Sequence, residues 1–217
     1  LSSGDFFEGS ADTGILGIQA SLELMGKAGY DVMTVGNHDF DRGPELAKKW
    51  VKDSPAKVLV ANVKDSTTGQ LLEGSEASHV FEVGGAKFGL IGVTTAETAS
   101  ILPADKQVGL TFESPLETVK AEVEKLKAQG VHTIGLVSHL GLKVDRDMAA
   151  QVPELDFILG GHSHDATKEP EKVGKTLIVH PGCFRQSMGR LDLDISPETG
   201  QVFQHHFQLL EANSQVE

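Results

Sequence analysis

Asp156-Phe157-Ile158-Leu159-Gly160-Gly161-His162-Ser163-His164 reads as a short apolar strand that stops at two glycines and passes straight into two histidines. In α/β sheets ligands bind at the carboxyl ends of strands, so a strand that ends this way marks a candidate site. Glycine just ahead of a ligating residue lets backbone approach a bound ion closely. His162 and His164 are two residues apart, and in an extended segment both rings would point to the same side. Three more segments share the layout: Ser138-His139 after an apolar run at 133–137, Gly36-Asn37-His38-Asp39 after one at 31–35, and Gly4-Asp5 near the start. Each has an ordinary reading alone, as a turn, a part-buried histidine or a local hydrogen-bonding loop. All four in one chain, each at a strand end, form a coincidence that structure by itself does not require.

Outward from these segments, strand and helix alternate. Residues 12–28 carry Ile15, Ile18, Leu22 and Met25 at helical spacing, with Asp12 placed as the cap. A helix is expected after Pro44, a strand over 57–61, a surface loop over 67–78 and a hairpin of 80–83 with 87–93 around Gly84-Gly85. Ser114-Pro115-Leu116-Glu117 combines an N-cap, a Pro at the first helical position and a capping-box Glu; Val119, Val123 and Leu126 continue the buried stripe until Gly130. A short helix is expected over 143–152, a strand over 176–179, and a β-rich end in which 188–195 and 201–210 alternate around Pro197-Glu198-Thr199-Gly200.

The 217 residues suit one α/β domain, and a net charge of −12 disfavours a broad grip on a nucleic-acid backbone. Cys183 is the only cysteine, which removes intramolecular disulfides and any thiolate zinc cage. No run approaches the roughly 18 apolar residues of a membrane span. No signal peptide is visible at Leu1-Ser2-Ser3, and the first residue reads as a truncation point. Neither a nucleic-acid polymer nor a membrane is expected as a partner.

Gly4-Asp5, Gly36-Asn37-His38-Asp39-Phe40-Asp41, Ser138-His139-Leu140-Gly141 and Gly160-Gly161-His162-Ser163-His164 resemble, in order, the motifs of the calcineurin-like metallophosphoesterases, nearest to the 5′-nucleotidase branch. The resemblance implies an α/β fold: a two-sheet sandwich flanked by helices (αββα), lacking its first strand, with residues 1–210 as the catalytic domain and 211–217 as a tail or linker. It implies Asp5 as a carboxylate bridging two metals, Asn37, His139 and His162 completing the second metal's shell, and His164 on the first. His38, oriented by Asp41, would contact phosphate and protonate the leaving oxygen. Carboxylate, amide oxygen and imidazole together suit divalent Zn, Mn or Fe-type ions, one or two per chain. The substrate would be a small phosphate ester, nucleotides included, hydrolysed by a metal-activated hydroxide. The same resemblance implies a periplasmic or secreted setting.

One departure stands out. The family's opening Asp-x-His is not found in this sequence, so either a preceding segment supplies that pair or the first metal keeps only Asp5 and His164 and is weak. The family's C-terminal nucleotide-recognition domain is also not found, which implies little preference for the base. A phosphodiesterase or cyclic-nucleotide activity, a thiosulfate-ester hydrolase, and a catalytically impaired metal-binding remnant share the same motifs. A metallo-β-lactamase-like signature would need Asp and His where Ala166 and Thr167 stand. Asp39 and Asp165 are expected to support ligands, and His180, at a strand end, is a candidate to face the cleft. His79, His132, His205 and His206 are assigned to the surface.

Overall fold

The computed structural model describes residues 1–6, 11–102, 108–184 and 186–212, with residues 11–16 described in backbone only. A six-stranded sheet forms its centre, in the order β10-β11-β9-β8-β6-β5. Its strands are β5 (Ser78–Val83), β6 (Ala86–Thr94), β8 (Thr133–His139), β9 (Phe157–Gly160), β10 (Glu171–Val173) and β11 (Thr176–Val179). The inner four run parallel, and β5 and β10 close the edges antiparallel. Parallel strands need both faces covered, and β8 accordingly is buried at every position.

Period-two alternation divides the covering. The short α3 (Thr98–Ile101) precedes α4 (Pro115–Ala128). Ile91, Val93, Ile134, Leu136 and Ile158 face outward onto Val119, Val123 and Leu126 of α4 and Met148 and Ala149 of α5 (Leu142–Gln151). Leu90, Val137, Phe157 and Leu177 face inward onto Val32 and Leu59 of a second layer. That layer contains β1 (Val32–Met33), β2 (Lys57–Leu59) and β4 (Ser75–Glu76), all parallel, with Ser2 bridging Met33 at the open edge. Its outer face buries Met33, Val58 and Val60 against Leu22 and Met25 of α1 (Ala11–Lys27) and Ala47, Trp50 and Val51 of α2 (Pro44–Asp53). The result is the expected sandwich of two sheets between helices. An antiparallel ribbon, β12 (Ser187–Ile195) with β13 (Val202–Glu211), joins the second layer through Leu191 and Leu193. An open cleft of about 1890 Å³ separates the ribbon from the Ser2 edge.

Several local expectations hold to within a residue or two. Ser114 Oγ accepts the Glu117 N–H to cap α4. Gly84 and Gly85 both take positive φ, 58° and 81°, in the two-residue turn of the β5–β6 hairpin. Others need correction. The polar stretch at 67–78 is not all loop, because β4 pairs there with β2. The strand expected over 31–35 shortens to Val32–Met33, since Gly36 onward turns into the site. The helix over 12–28 is broken at Gly17 (φ 76°, ψ 169°). Three short strands, β3 (Val63–Asp65), β7 (Leu110–Phe112) and β10, carry too few residues to show a periodicity. Asp12 falls inside α1, which begins at Ala11, rather than capping it; residues 213–217 of the tail lie outside what is described, and β13 extends into that tail as far as Glu211.

Candidate metal centre

The four segments converge where parallel strands end. Asp5 follows the Ser2 bridge, Asn37 and His38 follow β1, His139 ends β8 and His162 follows β9. Asp39 folds the first two together: its carboxylate accepts the N–H groups of Asp5 (3.0 Å), Phe6 (3.1 Å) and Gly36 (2.8 Å). Asp39 therefore supports the backbone that carries Asp5. Gly36 is required by space, because a Cβ there would lie 2.1 Å from Asp5 Oδ1.

Donor atoms of Asp5, His139 and His162 all lie within 4.8 Å of one another. His139 is fixed by its Nδ1, which donates to the Ser3 carbonyl at 2.6 Å. Its Nε2 then stands 3.1 Å from both Asp5 Oδ2 and Asn37 Oδ1. In the neutral ring that nitrogen offers a lone pair toward two oxygens that also accept. Three mutually facing acceptors call for a cation among them. A proton is one answer: burial opposes charge on His139, but the Asp5 carboxylate outweighs it and raises the ring's pKa. Burial likewise opposes the Asp5 charge, and the contact with His139 prevails and lowers its pKa. His162 is lowered, by burial first and then by the neighbouring His139. That favours the neutral ring that ligation needs, and the donor set suits a divalent N/O-binding ion.

His38 and Asp41 form the expected pair, Nδ1 to Oδ2 at 2.8 Å. That contact, against partial burial and with help from Asp5, raises the His38 pKa. With Nδ1 engaged, Nε2 is the nitrogen available to the cleft that His38, Asp41, His162 and His164 line. The His38 N–H also donates to Asp5 Oδ1 at 2.9 Å, which couples the pair to the metal centre.

His162 and His164 are not an extended pair. Both take positive φ, 78° and 61°, which breaks the period-two geometry. His162 joins Asp5 and His139, whereas the His164 ring packs against Phe184 at 5.0 Å and is outside that cluster. Asp165 accepts from Ser163 Oγ at 2.6 Å. His180 does not face the cleft: it is buried, with Nε2 2.7 Å from Asp145 Oδ2. Of the histidines assigned to the surface, His132 and His206 are exposed, and His79 and His205 are half-buried. Two features escaped sequence reasoning. The Ser3 carbonyl leaves no side-chain signal. Asp145 left one, an acid in line with Leu142, Met148 and Ala149 on the buried face of α5.

A sandwich of this kind, with carboxylate, amide and imidazoles at its strand ends and a His-Asp pair beside them, forms a candidate metal centre. The sequence pattern of the calcineurin-like phosphoesterases matches residues 1–166. The chain is 32% identical over 178 residues to a 5′-nucleotidase of Vibrio cholerae, covering 76% of this chain and 32% of that protein. It is 30% identical over 229 residues to the trifunctional nucleotide phosphoesterase protein YfkN of Bacillus subtilis, covering 89% of this chain and 16% of that one. Among solved structures it superposes on the sulfate thiohydrolase SoxB of Thermus thermophilus with a TM-score of 0.88 at 25% identity, covering 96% of this chain and 38% of the other. The chain belongs to the calcineurin-like phosphoesterase family, with 5′-nucleotidases among its relatives. It spans about a third or less of the length of these proteins. Among the described residues no helix is long and apolar enough to cross a membrane.

Proposed function

We propose that this domain hydrolyses small phosphomonoesters, nucleotides among them. The observation that carries this is the convergence of Asp5, Asn37, His139 and His162 beside the His38–Asp41 pair. Asp5, Asn37, His139 and His162 would hold a Zn, Mn or Fe-type ion, with His164 toward a second position. Bound divalent ions supply charge stabilisation and a nucleophilic water at neutral pH. The residues do the rest. Asp41 fixes the His38 ring and keeps it protonated, and His38 passes a proton from Nε2 to the departing oxygen. Asp39 and Ser3 keep the ligands in place.

A second reading has one observation in its favour, the overlay with a sulfate thiohydrolase. A thiosulfate ester would present a similar tetrahedral anion to the same donors. The deciding experiment reconstitutes the purified domain with Mn or Zn, counts bound metal, and compares turnover of AMP, an aryl phosphate, a phosphodiester and a thiosulfate ester. The expected result is tightly bound metal, with phosphomonoesters hydrolysed in preference to the phosphodiester and the thiosulfate ester. Preference for the diester or the thiosulfate ester would overturn the phosphomonoester reading.

A further inference from the structure

Beneath the metal centre lies a polar group that the proposed chemistry does not use. Ser138 Oγ donates to Asp145 Oδ1 at 2.5 Å, and His180 Nε2 lies 2.7 Å from Asp145 Oδ2. Ser138 and Asp145 have no exposed surface and His180 has 1%. Serine, histidine and aspartate are the residue types of a nucleophilic triad, but here the carboxylate is central and the serine does not touch the histidine. No nucleophile is activated by this order.

We infer that Asp145, with Ser138 and His180, is a positioning device that fixes the strand ends carrying the metal ligands. The sheet ladder gives out at this level: β11 and β9 last pair at Val179↔Leu159, and β8 and β9 at Ser138↔Gly160. One residue further on stand His180 and Gly160, and two further on from Gly160 comes His162. Asp145 reaches from α5 across this gap and ties β8 to β11. The tie passes directly over Gly160, where a Cβ would fall 2.0 Å from His180 Nε2 and 2.4 Å from Asp145 Oδ2. At one end Ser138 leads into His139. At the other, the His180 carbonyl accepts the Thr167 N–H (2.8 Å) and its N–H donates to Thr167 Oγ1 (2.9 Å), which pins the loop leaving His164.

Stability alone is a poor reason for this group. A buried carboxylate demands full compensation, and apolar replacements of similar volume are often as stable. His180 Nδ1, moreover, has no hydrogen-bond partner among the described residues. Geometry at the ligand-bearing ends is what the tie supplies, in the way partners behind ligands orient a metal site.

The inference rests on the metal-centre reading, and the test separates the two. Metal affinity by chelator competition, the Co(II) ligand-field spectrum and thermal midpoint would be measured for wild type, Ser138→Ala, His180→Leu, His180→Gln and Val123→Ala. Ser138→Ala and His180→Leu should weaken Co(II) binding roughly 10- to 100-fold and alter the spectrum. His180→Gln, which keeps a donor to Asp145, should bind within about threefold of wild type. Val123→Ala removes core packing behind α4 and should lower the midpoint without changing affinity or spectrum. If His180→Leu does not fold, Ser138→Ala carries the same expectation. Wild-type affinity and spectrum in both deletion variants would overturn the positioning role alone, as would affinity that tracks the thermal midpoint across all variants, Val123→Ala included. Failure of the wild type to bind metal would instead remove the metal-centre reading, and this inference with it.

Discussion

His38 and Asn37 are adjacent in sequence yet face different tasks, and substitution should separate them. His38→Ala is expected to leave metal content intact and to lower turnover roughly 100- to 10,000-fold, the range for a lost acid-base group. The loss should shrink for nitrophenyl phosphate, whose leaving group needs little protonation. Asp41→Asn should give a smaller loss of the same kind, and Asn37→Ala should lower metal occupancy first, with partial rescue by excess metal. Metal analysis beside steady-state rates on alkyl and nitrophenyl phosphates decides this; loss of metal in His38→Ala would place that ring among the ligands. At this scale the residues that meet were legible from the resemblance of their motifs: Asp5, His139 and His162 come together, with Asn37 beside His139. What sequence left out was geometry set by the turn: His162 and His164 both left the extended region, so spacing alone put two rings on one side that the backbone sends apart. A titration is legible as well. Asp65 is held at about 2 by Lys48 and by the Thr67 N–H. A depressed carboxylate stabilises the fold above its ordinary range near 3.8 and loses that contribution as pH falls through about 2. The gap in urea midpoint between wild type and Asp65→Asn should therefore be full near pH 5 and close toward pH 2; a gap independent of pH would exclude the ion pair as its source.

Elements with complete local signals were readable to a residue or two, and α4 is the clearest. Ser114, Pro115 and Glu117 specify its start, and Val119, Val123 and Leu126 specify the face it buries. Ser114→Ala should destabilise the domain by about 0.5–1 kcal/mol, the usual worth of an N-cap, while leaving metal affinity unchanged. Chemical denaturation and a Co(II) titration of the same variant check both halves; an effect on affinity would mean that the helix end communicates with the centre. Elements whose existence depends on a distant partner were not readable. β4 is two polar residues that become a strand only because β2 lies alongside, and no property of Ser75 or Glu76 by itself demands that. The α5 helix was foreseen, but the reason for its buried acid was not, since Ser138 and His180 meet it only in three dimensions.

For the whole molecule, alternation of strands and helices pointed to an α/β domain, and the resemblance of the ordered motifs supplied the two-sheet sandwich and the convergence of its strand ends. The assembly of the second layer lay beyond reach, because three short parallel strands and a distant ribbon share one face only through contacts with the larger sheet. That ribbon has a further consequence. β12 and β13 pair with each other over their full length, and among the described residues no third strand flanks either one. Phe203 and Met188 on it are 70% and 62% exposed, whereas every residue of β8 is buried. The molecule should therefore not open as a unit. Amide protons shared between β12 and β13 should exchange with deuterium through a local opening well below the global unfolding free energy, while those of β8 and β9 wait for global unfolding. Equal protection across both regions would mean that Leu191 and Leu193 bind the ribbon into the same cooperative unit as the sheet beneath it.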